Sequence, residues 1–165
     1  MLVELSPYTE AEFVRAMNAK AKDLGLAQTH FVDVHGLHPA NVSTAPDVAR
    51  MLIAALRYPD IRDTLARTSA RVTIVARSGK QRATLFSHTN VLLQKKQRFA
   101  SEASKTGYLD EAGDTVAMLI RDPATARRFV VVTLGEPRRN PRFAIAKRLA
   151  ESAVRSMHVA GVSAR

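Results

Sequence analysis

The spacing of apolar residues is helical over the first 24 positions. Thr9 and Glu12 have the Ser/Thr-x-x-Glu spacing of a capping box, which marks the start of a helix. Apolar residues then recur at steps of three and four: Phe13, Val14, Met17, Ala21 and Leu24. This pattern predicts a helix from about residue 10 to 24, with Gly25 in the left-handed conformation just past its end.

A second helix is predicted after the loop "HFVDVHGLHPANV". Ser43 or Thr44 can cap it, and Asp47 in its first turn is favoured by the helix dipole. It ends near Tyr58, since Pro59 follows. A short helix over about 60 to 66 comes next, and the helical part therefore extends over about residues 9 to 68.

The period changes from helical to extended in the second part of the chain, about 70 to 158. Residues 71 to 76 and 80 to 85 flank Ser78-Gly79 and predict a hairpin. The apolar runs "TVAMLI" at 115 to 120 and "FVVVTL" at 129 to 134 predict adjacent antiparallel strands buried on both faces. The segment that carries Lys105 is expected to be a third strand. Asn140 as cap and Pro141 at the first position predict a last helix.

Length and composition favour one globular domain, and the predicted helices and strands give it a mixed α/β (α+β) class. The chain has 165 residues, 46% hydrophobic and 24% charged, without cysteine, which excludes thiolate catalysis and disulfides. The net charge of +10 is uneven: residues 1 to 60 carry 5 Lys/Arg against 7 Asp/Glu, and residues 61 to 165 carry 20 against 8. The basic segments 94 to 98 and 136 to 142 are interpreted as solvated loops, with loose attraction to an acidic polymer as an alternative. A nucleic-acid-binding domain is less favoured because stacking aromatics and known motifs are absent.

The candidate chemistry lies in "SKTGYLDEAG", at the end of the third strand. Lys105 can supply positive potential, Thr106 a hydroxyl for a carboxylate, and Gly107 close approach of a substrate backbone. The backbone N–H of Tyr108 can face a developing oxyanion. These residue types suit attack on a peptide carbonyl near a terminal carboxylate, although a solvated strand end before a turn has the same pattern.

Two pairs of residues that include histidine could suggest a metal site or a catalytic pair. His35 and His38 form an H-x-x-H pair, but no glutamate follows in the metalloprotease pattern, and we expect loop histidines rather than a metal site. Ser87 and His88 are adjacent, and neighbouring side chains on a strand point to opposite faces, so we expect this pair to be structural.

The ordered set of segments resembles the low-molecular-weight penicillin-binding proteins, the serine D-alanyl-D-alanine carboxypeptidases and endopeptidases. The resemblance is carried by "FVRAMNAKAKDLGL", "THFVDVHGL", "NVSTAPDVARMLIAAL", "SHTNVLL" and "SKTGYLDEAGDTVAMLI", over about residues 10 to 135. It implies a partial β-lactamase-like fold. It also implies that Lys105 assists proton transfer, that Thr106 binds the substrate carboxylate and that the Tyr108 N–H forms part of the oxyanion hole. The phrase "SKTGY" followed by "EAG" is closer to the endopeptidase branch.

The same resemblance implies peptidoglycan stem peptides or cross-links as substrates, β-lactams as ligands of the complete enzyme, and no cofactor. The family's Ser-x-x-Lys and Ser-x-Asn motifs are absent from these 165 residues. We therefore expect an N-terminally truncated catalytic domain, inactive alone, with "FVVVTL" left as an open sheet edge. A non-catalytic peptide-binding protein or a gene remnant is the alternative.

The resemblance also implies a periplasmic or cell-envelope location for the family. "MLVELSPYTE" has no signal-peptide pattern and no apolar stretch is long enough to span a membrane, so the expectation for the chain as written is cytoplasmic.

Overall fold

Three helices precede a β-hairpin, a three-stranded sheet and a last helix, which confirms the mixed α/β class. The computed structural model describes residues 3–95, 97–137 and 143–162, with side chains described to residue 156. The helices are α1 (Glu10–Asp23), α2 (Ala45–Ala55), α3 (Pro59–Ala66) and α4 (Ala144–Val162). The strands are β1 (Ser69–Val75), β2 (Gln81–Ser87), β3 (Ala100–Leu109), β4 (Gly113–Arg121) and β5 (Arg128–Glu136), with a 3-10 turn at Val91–Leu93.

The first helix begins and ends where its sequence predicts. The Thr9 hydroxyl accepts a hydrogen bond from the Glu12 N–H (3.3 Å), and the Glu12 carboxylate accepts one from the Thr9 N–H (2.8 Å). These reciprocal bonds satisfy donors that a helix start leaves without partners. Gly25 follows the end of α1 with φ +68°, a conformation that glycine adopts without steric strain. The capping-box and Gly25 predictions are confirmed.

Asp47 links the second helix to the segment that follows α1 by hydrogen bonds. Thr44, one of the two predicted caps, accepts a hydrogen bond from the Asp47 N–H. The buried Asp47 carboxylate accepts from the Gln28 N–H (2.8 Å) and the Thr29 hydroxyl (3.0 Å), and pairs with Arg50 (2.9 Å). Thus Asp47 stabilises tertiary structure as well as the helix dipole. The helix ends at Ala55, slightly before the predicted stop.

The predicted hairpin forms, with each strand displaced outward by about two residues. Strands β1 and β2 pair antiparallel with Ser69 opposite Ser87. Gly79 lies in the connecting turn with φ +79°, and the Ala76 N–H donates to the Lys80 carbonyl across the turn. Most side chains of this hairpin are exposed.

The larger sheet has the order β3-β4-β5 with antiparallel neighbours, as the apolar runs predict. The central strand β4 is buried along most of its length. The prediction that "FVVVTL" is buried on both faces is wrong for β5. Val130 and Val132 are half-buried and Leu134 is 39% exposed. Only one face of β5 is buried, at Val131 and Thr133, and the alternating side chains of the other face are partly covered.

Glu102 links all three strands of this sheet. It lies at a β-bulge between Ser101 and Ala103, and its carboxylate accepts hydrogen bonds from Arg121 of β4 (2.8 Å) and Arg128 of β5 (2.6 Å). Burial by itself raises the pKa of Glu102, but these two guanidinium groups outweigh it and hold the pKa below its ordinary value.

The last helix packs over the sheet and closes the main core. Its buried residues join buried residues of β4, β5, the 3-10 turn and the position just before β3 in one cluster: Leu92, Phe99, Val116, Met118, Ile120, Val131, Ala146, Ala150 and Val154. The helix begins at Ala144, whereas the predicted cap Asn140 and the following Pro141 lie outside the described residues. In the described part of the chain, no helix combines the length and apolar character needed to cross a membrane.

Candidate active site

Strand β3 carries the four candidate residues on a sheet edge. It pairs with β4 in regular register from Ala103 to Leu109, with Lys105 opposite Ala117 and Gly107 opposite Thr115. The other edge, which faces away from β4, is called the outer edge below. None of the described strands pairs with it.

Alternation along β3 decides which main-chain groups face the outer edge. The carbonyl of Ser104 accepts a hydrogen bond from His88 (3.0 Å), which is not on β4, so this carbonyl faces outward. In an antiparallel strand the N–H and C=O of one residue point to the same side, and the side alternates with each residue. The main-chain groups of Thr106 and Tyr108 therefore also face the outer edge.

Lys105 brings positive charge to that edge. Its side chain is exposed, and its ammonium group donates a hydrogen bond to the carbonyl of Thr106. Thr106 is half-buried, and its side chain leaves the opposite face of the sheet because neighbouring residues alternate. The arrangement places a cation and outward-facing backbone groups within three residues of one another, which suits an extended peptide with a carboxylate.

Gly107 is required by packing inside the sheet. A Cβ at this position would lie 2.7 Å from Oγ1 of Thr115 on the paired strand, closer than side chains normally approach. The sequence motif explains this glycine by the approach of a substrate, and the structure adds a different reason. The space on this face of β3 is filled by Thr115.

Tyr108 connects the end of β3 to the following turn. Its hydroxyl donates a hydrogen bond to the carboxylate of Asp110, the first residue of the "DEAG" turn. The side chain is half-buried. The position of Tyr108 is thus fixed by both the strand and the turn.

His88 is a neighbour of the candidate site, although the sequence predicted only a structural role for it. All four of its polar groups form hydrogen bonds. Its N–H donates to Thr68 (2.8 Å), its carbonyl accepts from Gln94 (3.3 Å), and its Nδ1 accepts from the Asn90 N–H (2.9 Å). Because Nδ1 is an acceptor, we assign the proton to Nε2, which donates to the Ser104 carbonyl.

Asn90 and Ser104 form a buried polar pair behind β3. Both residues are 0% exposed, and the Asn90 amide donates to Ser104 Oγ (2.9 Å) and approaches the Met118 sulfur (3.7 Å). The Asn90 carbonyl accepts from the Leu92 N–H (3.0 Å). The sequence signal for this pair is an asparagine that closely follows a strand and precedes an apolar turn, in "SHTNVLL".

The loop between α1 and α2 is organised around Asp33. Its carboxylate accepts hydrogen bonds from the Asn41 amide and from the N–H groups of Gly36, Leu37 and His38, at 2.8 to 3.0 Å. Burial raises the pKa of Asp33, but the bonds from Asn41 and the three N–H groups outweigh it and lower the pKa to about 2. The carboxylate therefore holds the loop as a folded unit.

A cavity of about 380 Å³ lies between this loop and the turn that follows β3. Its lining includes Phe31 and Asn41 from the loop, Glu111 and Ala112 from the turn, and Thr115, the residue that faces the glycine of β3. The folded loop therefore forms one wall of a depression beside the candidate strand.

The two loop histidines have separate environments. His38 Nδ1 accepts a hydrogen bond from the Ala40 N–H (3.1 Å), and His35 lies 3.9 Å from the Glu10 carboxylate with both side chains exposed. Among the residues that the structure describes, no three His, Cys, Asp or Glu side chains are grouped so that they could hold a metal ion.

Comparison with known proteins gives a family and a fold. The family model of D-alanyl-D-alanine carboxypeptidases, peptidase S11, matches residues 2–137. The D-alanyl-D-alanine endopeptidase of Escherichia coli (strain K12) is 37% identical over 106 residues, which are 64% of this chain and 33% of that protein. The chain spans about a third of the length of the curated relatives it matches (33 to 40%).

Two solved structures illustrate the fold. The D-alanyl-D-alanine carboxypeptidase of Mycobacterium tuberculosis H37Rv has a TM-score of 0.61 at 27% identity, and the match covers 76% of this chain and 45% of that one. The Streptomyces K15 DD-transpeptidase has a TM-score of 0.71 at 22% identity, over 90% of this chain and 54% of that one, and bears on fold alone. With the family model matched from residue 2 to 137, the chain belongs to the D-alanyl-D-alanine carboxypeptidase family of penicillin-binding proteins.

Proposed function

We propose that this chain provides the substrate-binding strand of a serine-type D-alanyl-D-alanine carboxypeptidase or endopeptidase that acts on peptidoglycan peptides. One observation carries the proposal. The outer edge of β3 presents the main-chain groups of Thr106 and Tyr108 beside the Lys105 ammonium, with no described strand paired there. Membership of the family supports the same substrate class.

The proposed substrate is an extended peptide that runs antiparallel to β3. Its terminal carboxylate lies at the Thr106 hydroxyl within the positive potential of Lys105, and the carbonyl of the preceding bond meets the Tyr108 N–H. The oxygen of that carbonyl gains negative charge in the transition state, and a fixed N–H donor stabilises it there more than in the ground state. Lys105 also assists proton transfer.

The proposed reaction is acyl transfer through a serine ester. The serine oxygen bonds to the carbonyl carbon, the C–N bond breaks, and the departing amine takes up a proton. Water then hydrolyses the ester. The sequence of this chain contains no Ser-x-x-Lys, the spacing that sets a lysine one helical turn from the serine. We therefore propose that the nucleophile and its lysine come from residues outside this sequence, and that this chain alone is not acylated.

Within the family we propose the endopeptidase activity, on a cross-link between two stem peptides. Three curated relatives bear the name D-alanyl-D-alanine endopeptidase, and two of them are 37% identical to this chain. The "SKTGY" and "EAG" phrases support the same choice. Family membership further supports a cell-envelope setting for the complete protein.

Binding of peptides tests the proposal directly. We expect an N-acylated L-Lys-D-Ala-D-Ala acid to shift the Thr106 and Tyr108 amide signals of the ¹⁵N-labelled chain, and the primary amide of the same peptide to bind more weakly. Substitution Lys105→Ala should abolish this preference for the acid, because the positive charge near the carboxylate is removed. Lys95→Ala is the matched control, since it removes a loop lysine of the basic segment. Equal affinity of the native chain for acid and amide would contradict the carboxylate site.

Acylation separates the peptidase from a non-catalytic peptide-binding protein. A labelled penicillin should leave no covalent adduct on this chain alone. The chain is then mixed with a polypeptide that supplies the Ser-x-x-Lys part of the Escherichia coli relative. If this chain forms part of a peptidase site, we expect the labelled penicillin to form an adduct with the serine of that polypeptide. A stoichiometric adduct on the isolated chain would show that the proposed division of the site is wrong.

A further inference from the structure

We propose that the β1–β2 hairpin binds the surface of an anionic lipid bilayer. One face of the hairpin, called the apolar face below, carries Val72, Ile74 and Phe86. This face contacts the boundary between the headgroups and the acyl chains, while arginine and lysine side chains of the same hairpin bind lipid phosphates. The lipid surface does not rest on the peptide site at β3, so either one can fail without the other.

The apolar side chains of this hairpin are left in water by the rest of the fold. Val72 is 44% exposed, Ile74 48% and Phe86 53%. Every residue from 71 to 83 is exposed. Among the described helices and strands, none packs extensively against β1 or β2, which pair with each other. An exposed apolar patch of this kind is typical of a surface that binds a protein or a membrane.

The register of the hairpin makes the apolar face continuous. Val72 and Ile74 are two residues apart on β1, so their side chains leave the same face. Phe86 of β2 is opposite Ala70, which is two residues from Val72 in the other direction. Since directly opposite residues share a face, Phe86 lies on the same face, diagonal to Val72.

The opposite face has no comparable patch. Its two large apolar residues are Val75, which is opposite Gln81, and Leu85, which is opposite Arg71. One further pair of that face lies between them. The two apolar side chains are therefore separated, and each has a polar or charged neighbour.

The charge of the hairpin favours an anionic bilayer. Residues 69 to 87 contain no Asp or Glu and four basic residues, all exposed: Arg71, Arg77, Lys80 and Arg82. Arg82 is opposite Ile74 on the apolar face, and Arg77 and Lys80 lie on either side of the turn glycine. Their long side chains can bind phosphate groups while the apolar side chains beside them contact acyl chains. A dissolved polyanion would use only the charges, whereas a bilayer uses both kinds of side chain.

Sedimentation with lipid vesicles tests the apolar face. We expect the chain to bind vesicles of phosphatidylglycerol and phosphatidylcholine in equal parts, and to bind pure phosphatidylcholine vesicles much more weakly. Ile74→Ser should weaken binding to the anionic vesicles by about fivefold or more, because an apolar contact with the bilayer is lost. Ile53→Ser on α2 is the matched control, since Ile53 is 49% exposed and lies outside the hairpin.

Two double variants test the charges of the hairpin. Arg77→Gln with Lys80→Gln should weaken binding to the anionic vesicles by about tenfold or more, at about fivefold for each charge removed. Lys95→Gln with Arg98→Gln removes the same charge from exposed residues outside the hairpin and should have a smaller effect. Equal weakening by both pairs would overturn the hairpin site, because it would show attraction to the net charge of the whole chain.

Tryptophan fluorescence tests which face meets the lipid. The sequence contains no tryptophan, so Phe86→Trp and Leu85→Trp each introduce a single reporter, on opposite faces of β2. With anionic vesicles we expect Phe86→Trp to give a blue shift and quenching by brominated lipid, and Leu85→Trp to change little. Equal changes in the two variants would overturn the assignment of the apolar face.

Further results would overturn the bilayer as the partner. They are the absence of binding to anionic vesicles, equal binding to pure phosphatidylcholine, and equal weakening by Ile74→Ser and Ile53→Ser. A blue shift of Phe86→Trp that grows with protein concentration without vesicles would instead identify a second copy of this chain as the occupant. All the substituted side chains are exposed, and an unchanged urea midpoint with dispersed amide spectra verifies that each variant folds.

Discussion

Gly107 illustrates how a single residue can serve a sheet as well as a site. Its α-hydrogen faces Thr115 Oγ1, and an added methyl group would lie 2.7 Å from that oxygen. In the sequence, this glycine follows Lys105 and Thr106 and is interpreted with them as part of a substrate-binding motif. The contact on the neighbouring strand is visible only when β3 and β4 are paired.

At this position we expect Gly107→Ala to lower the free energy of unfolding by about 1–3 kcal/mol, the usual cost of overpacking. Urea unfolding measures the change. The double variant Gly107→Ala with Thr115→Ala should recover part of the loss, since the methyl group then occupies the space that the threonine side chain leaves. A double variant less stable than the sum of the two single changes would contradict this packing explanation.

Asn90 is the residue whose loss should be most costly behind the candidate strand. Asn90→Ala leaves the buried Ser104 hydroxyl and the Leu92 N–H without these partners, and we expect about 2 kcal/mol of destabilisation in urea unfolding. Ser104→Ala is the matched control, because it removes the hydroxyl and keeps the Asn90 bond to Leu92. If both substitutions lower the free energy of unfolding equally, the contacts of Asn90 other than the one with Ser104 contribute little to stability.

At the scale of elements, the folded conformation of the loop from 33 to 41 is stabilised by one carboxylate, whereas the helices are stabilised by many side chains. Asp33 accepts four hydrogen bonds from within its own loop. The sequence motif "FVDVHGL" shows the aspartate and the glycine, but nothing in its spacing states that Asn41 returns to the same carboxylate.

This loop should be sensitive to acid. The pKa of Asp33 is lowered from 3.8 to about 2, so ionised Asp33 contributes stability that is present above about pH 4 and is lost as the pH falls towards 2. Asp33→Asn should be less stable than the native chain at pH 7, with the difference fading towards pH 2. Amide exchange at Gly36 and His38 reports this locally, and a difference that persists at pH 2 would exclude the carboxylate as its cause.

Elements with strong local signals were the most predictable from the sequence. The Thr9 capping box and the left-handed Gly25 are set by neighbours within four residues, so both could be predicted. The extent of β5 was also predictable, but its burial was not. How far Val130 and Val132 are covered depends on what packs against their face of the sheet, and no local pattern contains that information.

At the scale of the whole molecule, β5 is an edge of the sheet that the described strands form and carries apolar side chains, and such edges promote association. Leu134 is 39% exposed on β5. We expect Leu134→Lys to reduce light scattering of concentrated samples, since a charge on an edge strand opposes pairing with another chain. Leu149→Lys, at a residue 46% exposed on α4, adds the same charge away from the edge. An equal effect of the two substitutions would indicate that net charge, and not edge pairing, controls association.

The candidate residues could be identified from the sequence as a group because Lys105, Thr106, Gly107 and Tyr108 are contiguous. Their roles remain predictions that the peptide titrations test. The histidine and the asparagine of "SHTNVLL" lie in a segment that carries the family resemblance, but their contacts with β3 could not be predicted. They lie well before β3 along the chain and meet it only after the chain has folded.

The sequence by itself determined the family, the helix caps, the hairpin and the position of the candidate strand, because each depends on residue order or on contacts a few residues apart. Tertiary structure alone decided that Thr106 and Tyr108 face an outer edge, which His88 reaches from an earlier part of the chain. It also decided that Thr115 fills the space beside Gly107. The physical reason is that register and strand pairing fix these contacts, and register follows from the packing of the whole sheet.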